Sequence, residues 1–343
     1  MLSAAAAADH LFYSAVPQSS FVSDGSAAPP SAAFTPQQIR QAYGINSITL
    51  GSLVGDGTGQ TIALIDAYDD PDFVDTGAAN FAASDLHQFD AQFGLADPPS
   101  FVKLNQAGGA SLPGVDPSGP SDDDWEGEES LDVEWAHAVA PGASIILVEA
   151  NSDNFSDLMA AVNTARNLSG VSVVSMSFGW DESYMASLGS NAETTADATF
   201  TTPAGHQGVT FVAATGDDGY PGDYPAFSPN VLAAGGTSLY TSSGSYNYET
   251  AWSDSGYGAS SYETEPGYQA SVQSSGAREI ADVSFDANPN TGVAIYDSYD
   301  FGTSKPWSTI GGTSLATPSW AGLVAIADQL RASQSLGSLD GAS

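Results

Sequence analysis

The 343-residue sequence predicts an α/β fold in which a mainly parallel central sheet is flanked by helices on both faces. Three observations carry that prediction. The apolar runs at 61–66, 144–148, 171–177 and 209–214 are continuous rather than alternating, which is the pattern of strands buried on both faces. Segments of helical periodicity separate them and supply the crossovers that parallel strands need. Strand and helix patterns also alternate through the whole central region instead of clustering by type.

Taken in order, residues 1–34 are rich in Ala, Ser and Pro without a sustained period and read as a mobile tail. Residues 35–343 then read as one domain, opening at Thr35-Pro36 with a helix N-cap and a first-turn proline. The strand 61–66 ends on Asp66. A helix is expected over 76–93, carrying Phe81, Leu86 and Phe89, and another over 125–139, stopped by Pro141-Gly142. The strand 144–148, helix 156–167, strand 171–177, helix 191–204 and strand 209–214 follow. From Asn230 the chain is glycine-rich, with short strands at 231–234 and 292–296 between long loops. The last element is an apolar helix over 313–331. In open sheets of this kind ligands sit beyond the carboxyl ends of the strands. Asp66, Ser177-Phe178-Gly179 and Gly216-Asp217-Asp218 all fall there.

Composition narrows the function. Lys and Arg total 6 against 41 Asp and Glu, a formal charge of -35. Nucleic acid and anionic membrane both need a positive footprint and are excluded as partners. Such acidity suits either plain solubility or an acidic working environment in which protonation relieves self-repulsion. The absence of cysteine rules out disulfides and thiolate metal sites. No apolar run reaches membrane-spanning length. The start, Met1-Leu2-Ser3 and five alanines, lacks the basic region of a signal peptide.

The chemistry concentrates in three places. Gly311-Gly312-Thr313-Ser314 places a hydroxyl behind small residues at a helix start, where free N–H groups and the positive dipole end favour developing negative charge. Glu128 and Asp132, four residues apart on a helix, share one face with Trp135, and carboxyls so placed titrate as a coupled pair. Acids near a helix start also serve merely as dipole complements, the reading given to Glu126, Glu129 and Glu134. Thr215-Gly216-Asp217 ends a strand in a tight turn. A protonated Asp217 there can face an oxyanion, whereas Asp-Gly turns are also ordinary turns. A glutamate base remains partly ionised in acid where histidine is fully protonated and useless. The set therefore reads as a serine hydrolase adapted to acid.

These motifs resemble those of the sedolisin family, the serine-carboxyl peptidases. Glu-x-x-x-Asp followed by Ala-Pro-Gly-Ala is matched by Glu128, Asp132 and Ala140-Pro141-Gly142-Ala143. Ser177-Phe178-Gly179 stands where the family has Ser-Trp-Gly, and Thr215-Gly216-Asp217 where it has Ala-Gly-Asp. Pro225 to Leu232, Gly235-Gly236-Thr237 and the run Gly311 to Pro318 complete the pattern in consistent order over about 35–331. The resemblance implies a subtilisin-like three-layer fold and an acyl-enzyme mechanism. Ser314 would be the nucleophile, Glu128 the base, Asp132 its partner and Asp217 the oxyanion acid. Ser177, Phe178 and Gly179 would pair with a protein or peptide substrate as an added strand. Asp66 is a possible supporting acid. No cofactor is needed for the chemistry. Family members carry calcium in a loop after the serine helix. That segment is missing before Ser343, so no metal ligand is assigned. A monomer acting outside the cell, with maximum activity below about pH 5, completes the expectation.

Two alternatives stand beside it. One is an Asp-His-Ser peptidase of the same fold using Asp66, although His10, His87, His137 and His206 lack the expected settings. The other is a catalytically impaired peptide-binding module.

Overall fold

The computed structural model describes residues 28–119 and 124–341, with the backbone of the two-residue strand His10–Leu11. Strands β1 (Thr61–Ala67), β2 (Phe101–Asn105), β3 (Ser144–Ala150), β4 (Val171–Met176), β5 (Phe178–Asp181), β6 (Thr210–Ala214), β7 (Val231–Ser242), β8 (Ser245–Ala251) and β9 (Val283–Asp286) matter most for the site. The eight-stranded sheet runs β8-β7-β6-β4-β1-β3-β2, with β9 also pairing β7. Only the β7–β8 pair is antiparallel. The order reverses at β1, which lies between β3 and β4. That reversal opens a crevice at the carboxyl end of β1, where Asp66 sits.

The continuous apolar runs account for the sheet. Every residue of β4 and β6 is buried, as are residues 62–67 of β1. Helices α1 (Pro36–Ala42), α2 (Asp85–Phe93), α3 (Trp125–Val139), α4 (Phe155–Asn167), α5 (Glu182–Leu188), α6 (Ala192–Ala196), α7 (Ser298–Phe301) and α8 (Thr313–Ser333) flank it. Thr35 closes α1 with a capping box through Gln38, as the Thr-Pro start predicts. Helices α3 and α8 pack on one another and on the central strands. Their close approach needs Gly322, because a Cβ there would meet Val139 Cγ1 at 2.7 Å.

Four expectations need correction. Ordered structure begins before Thr35: Ala33 is buried, and Phe34 exchanges backbone hydrogen bonds with Gly292 and Ala294. The rest of the expected tail, residues 1–9 and 12–27, lies outside the described residues. The helix expected over 76–93 is confined to α2, after a short 3-10 turn at Phe81–Ala83. Gly77 and Asn80 weaken the earlier part, and Ser84 takes the N-cap conformation. The helix expected over 191–204 is only α6 and a 3-10 turn, preceded by the unforeseen α5. Thr194-Thr195, Thr201-Thr202 and Pro203 oppose a longer helix, whereas Asp181 caps α5 through Tyr184 N. Finally, β7 runs far beyond 231–234 and turns into β8 through Ser243 (φ 53°) and Gly244 (φ 76°). Two positive φ values form the tight hairpin turn that twists with its strands.

Candidate active site

Helix α3 delivers the acidic pair. Its N-cap Asp124 accepts from Gly127 N at 3.0 Å. The helix is buried along its entire length, so its acids are core groups and not solvated dipole complements. Opposite it, α8 starts at Gly312, whose φ of 100° lets the chain turn sharply into Thr313-Ser314.

These elements bring the proposed residues together. Glu128 is wholly buried among Asp132, Asp66, Asp217 and Ser314. Burial, then the neighbouring Asp132 and Asp66, push its pKa well above the usual glutamate range. The Ser314 hydroxyl acts the other way, favouring the charged form. The contact is not a closed hydrogen bond, since neither Glu128 oxygen nor Ser314 Oγ has a formed partner. Such catalytic bonds commonly tighten only when substrate binds. Asp132 Oδ1 accepts from Ser177 Oγ at 2.7 Å, and its other oxygen is unpartnered. Burial and Asp66 raise the Asp132 pKa. Asp66, with both oxygens unpartnered, is pushed up to about 7 by burial.

Asp217 meets the group from the turn after β6. Its Oδ1 accepts from Thr313 N at 2.8 Å and Thr313 Oγ1 at 2.7 Å, leaving buried Oδ2 unpartnered. Burial raises its pKa well above the ordinary aspartate value. A proton on Asp217 therefore belongs on Oδ2, the oxygen that accepts nothing. Sequence reasoning gave Thr313 no role, although its place directly before Ser314 was the available signal. Pro318 closes the matched run but was given no role: one turn beyond Ser314, it has no N–H for the Ser314 carbonyl. Ser177 Oγ lies 3.4 Å from that carbonyl instead.

Ser177, Phe178 and Gly179 lie at the junction of β4 and β5. Strand β5 pairs antiparallel with Asp223–Tyr224 on one side and with His10–Leu11 on the other, His10 opposite Gly179 and Leu11 opposite Phe178. This edge thus accommodates an extended segment.

Other expected residues fall elsewhere. Glu126, Glu129 and Glu134 are not surface acids. They accept from Asp116 N, Asp70 N and Tyr296 N, respectively, and tie loops to α3. Lys103, also buried, lies 2.9 Å from Glu149 and bonds Asp69. Burial would lower its pKa, but Glu129, Glu149 and Asp69 outweigh that and raise it. Trp125, Trp135 and Trp180 belong to the core. Trp135 Nε1 donates to Ala294 O, and Trp180 packs on Phe155 and Phe178. His137 is engaged by the Ala96 carbonyl and Asp90, and His87 by Asp97. Neither imidazole is available to Ser314.

So many buried acids make stability pH-dependent. Burial pushes Asp66 and Asp223 up to about 7, and Glu149 and Glu193 up to about 8. The unfolded chain releases these protons near pH 4. Between about pH 4 and 8 the folded state binds more protons, so stability falls as pH rises. Thermal denaturation is expected to give its highest Tm near pH 4 and a steady decline toward pH 8; a flat or rising curve contradicts this reading.

The calcium implied by the sequence resemblance belongs after the serine helix. There, Asp328 Oδ1 accepts from Leu339 N. Among the described residues no cluster of three potential ligands forms in that region, so these residues do not fit the ion.

The subtilase family model matches residues 57–338. The chain is 33% identical to kumamolisin of Bacillus sp. (strain MN-32) over 89% of its length and 53% of the relative's. It is 32% identical to sedolisin of Pseudomonas sp. (strain 101) over 72% and 44%, respectively. The chain thus spans about half the length of these curated relatives. Among solved structures, Pseudomonas sedolisin, a serine-carboxyl proteinase complexed with two molecules of pseudo-iodotyrostatin, superposes with a TM-score of 0.68. The identity is 30%, covering 89% of this chain and 82% of that one. A lanthipeptide protease shares the fold, with a TM-score of 0.55 and 16% identity over 88% and 81%.

Proposed function

The chain belongs to the subtilase family, on its sedolisin branch, and from that membership we propose that it is an acid-acting serine-carboxyl endopeptidase. The observation that carries this reading is the Ser314 hydroxyl facing the Glu128 carboxyl within a buried, all-carboxylate group.

In the proposed reaction an extended substrate lies along Phe178 and Gly179 of β5, the edge that accepts His10–Leu11. Ser314 Oγ attacks the scissile carbonyl carbon as its proton passes to Glu128. The oxyanion takes a hydrogen bond from the proton on Asp217 Oδ2. Glu128 returns its proton to the leaving amine, giving an acyl-enzyme that water then opens by the same route. Asp132, held by Ser177, shares the charge of Glu128.

Burial raises the pKa of Asp66, Glu128 and Asp132, and the three titrate as a unit. The first negative charge on the group is shared among Asp66, Glu128 and Asp132. Each further charge would meet like charge in a buried site and is delayed. One charge on the group, with Asp217 still protonated, is the working state. The test is a pH–rate profile on a denatured protein. A bell with its maximum below about pH 5 is expected, and a maximum near neutrality overturns the assignment. Such an optimum fits an enzyme acting in an acidic medium outside the cell.

A further inference from the structure

We propose that a second group of acids, separate from the peptidase centre, forms a binding site for a hard divalent cation of the calcium class. Asp70 comes from the loop after β1, Asp85 from the start of α2, Asp124 from the cap of α3, and Asp297 and Asp300 from the cap and body of α7. Asp70, Asp85 and Asp297 each offer an oxygen within 4.8 Å of the others, and Asp124, Asp297 and Asp300 do the same. Asp297 joins the two sets. Oxygens on opposite sides of a calcium ion stand about 4.6–5.2 Å apart, at 2.3–2.6 Å from the metal.

Proximity of acids alone is not enough; what points to a ligand is the state of two buried oxygens. Asp297 and Asp70 are both 0% exposed. Asp297 Oδ1 accepts from Asp300 N at 2.9 Å and Asp70 Oδ1 from Asp72 N at 2.8 Å, which fixes both side chains. The second oxygen of each finds no N–H or hydroxyl donor, and the side chain that meets Asp297 is another acid, Asp300. Leaving such an atom buried without a donor or a cation is costly. Neighbouring positive charge does not meet the need. Lys103 is committed to Asp69, Glu149 and the Asp70 carbonyl. Among the described residues no ion pair reaches Asp70, Asp85, Asp297 or Asp300.

The donor set selects the ion class. Carboxylate oxygens suit calcium, magnesium or manganese and disfavour the soft metals. Acids from four separate chain segments can supply the six to eight ligands that calcium takes, with water completing the shell. Asp85 is preorganised by Ser298, whose N and Oγ donate to it at 2.6 and 2.8 Å. Asp300 is only partly buried as a residue, although both its carboxylate oxygens are buried. A bound cation would tie the β1 loop and α2 to α3 and α7. This site is distinct from the calcium loop that the resemblance places after the serine helix.

The test is calorimetric titration of calcium chloride into the chelator-treated full chain at pH 6.5, paired with thermal denaturation. Calcium is expected to bind and raise Tm. Asp297→Asn and Asp300→Asn are each expected to weaken binding at least tenfold and abolish the shift. Asp300 is half-buried, so its variant keeps the test decisive should Asp297→Asn fail to fold. Absence of calcium binding by the parent chain, or equal binding by parent and variant, overturns the proposal.

Discussion

Ser314→Ala and Glu128→Gln are each expected to lower kcat on a protein substrate by about 10⁴-fold or more, the loss usual when one member of a nucleophile–base unit is removed. The double variant should be scarcely worse than either single one, because the two act in the same proton transfer. Both substitutions are nearly isosteric at wholly buried positions, so circular dichroism should match the parent. Stability separates a chemical role from a structural one. Burial, then Asp132 and Asp66, raise the Glu128 pKa, so a neutral glutamine should flatten the fall of Tm with rising pH. A Glu128→Gln enzyme with parental kcat would refute the base assignment.

The second large effect concerns Asp217. Asp217→Ala removes the only oxyanion donor named in the proposed reaction and should cost about 10²–10³ in kcat, with a smaller change in KM. Asp217→Asn is more informative. Its amide N–H₂ still donates, but it never ionises. It should recover part of the rate and shift the alkaline limb of the profile, if loss of the Asp217 proton sets that limb. Thr313 must keep donating to the other side-chain oxygen for this to work. Equal kcat and an unmoved profile for parent, Ala and Asn forms would remove Asp217 from the mechanism.

Much of the fold was legible because its strands are buried on both faces. Continuous apolar runs located β1, β3, β4 and β6 within a residue or two of their observed ends. The α5–α6 region was not legible, since its short helices are set by caps and breaks that no long period records. The β7–β8 hairpin hid for a related reason. Strand β8 is largely exposed and polar, so its alternation carries little apolar contrast. At the site, helical spacing put Glu128 and Asp132 on one face, and the structure places them side by side. Periodicity could not reveal that Glu126, Glu129 and Glu134 are buried too. That depends on loops from distant parts of the chain arriving with backbone N–H groups. The acids around Asp297 come from four separate segments and leave no local spacing to read.

Pro318, one turn past Ser314, opens a way to watch the site. Ser177 has a single hydroxyl hydrogen, yet two acceptors lie within its reach, Asp132 Oδ1 and the Ser314 carbonyl. When Asp132 is ionised the hydrogen turns to the carboxylate and the carbonyl loses its donor. When Asp132 is protonated it can donate to Ser177, whose hydrogen then swings to the carbonyl. An isotope label on that one carbonyl would make its infrared stretch a built-in indicator dye, reporting the charge of the acid without substrate or inhibitor.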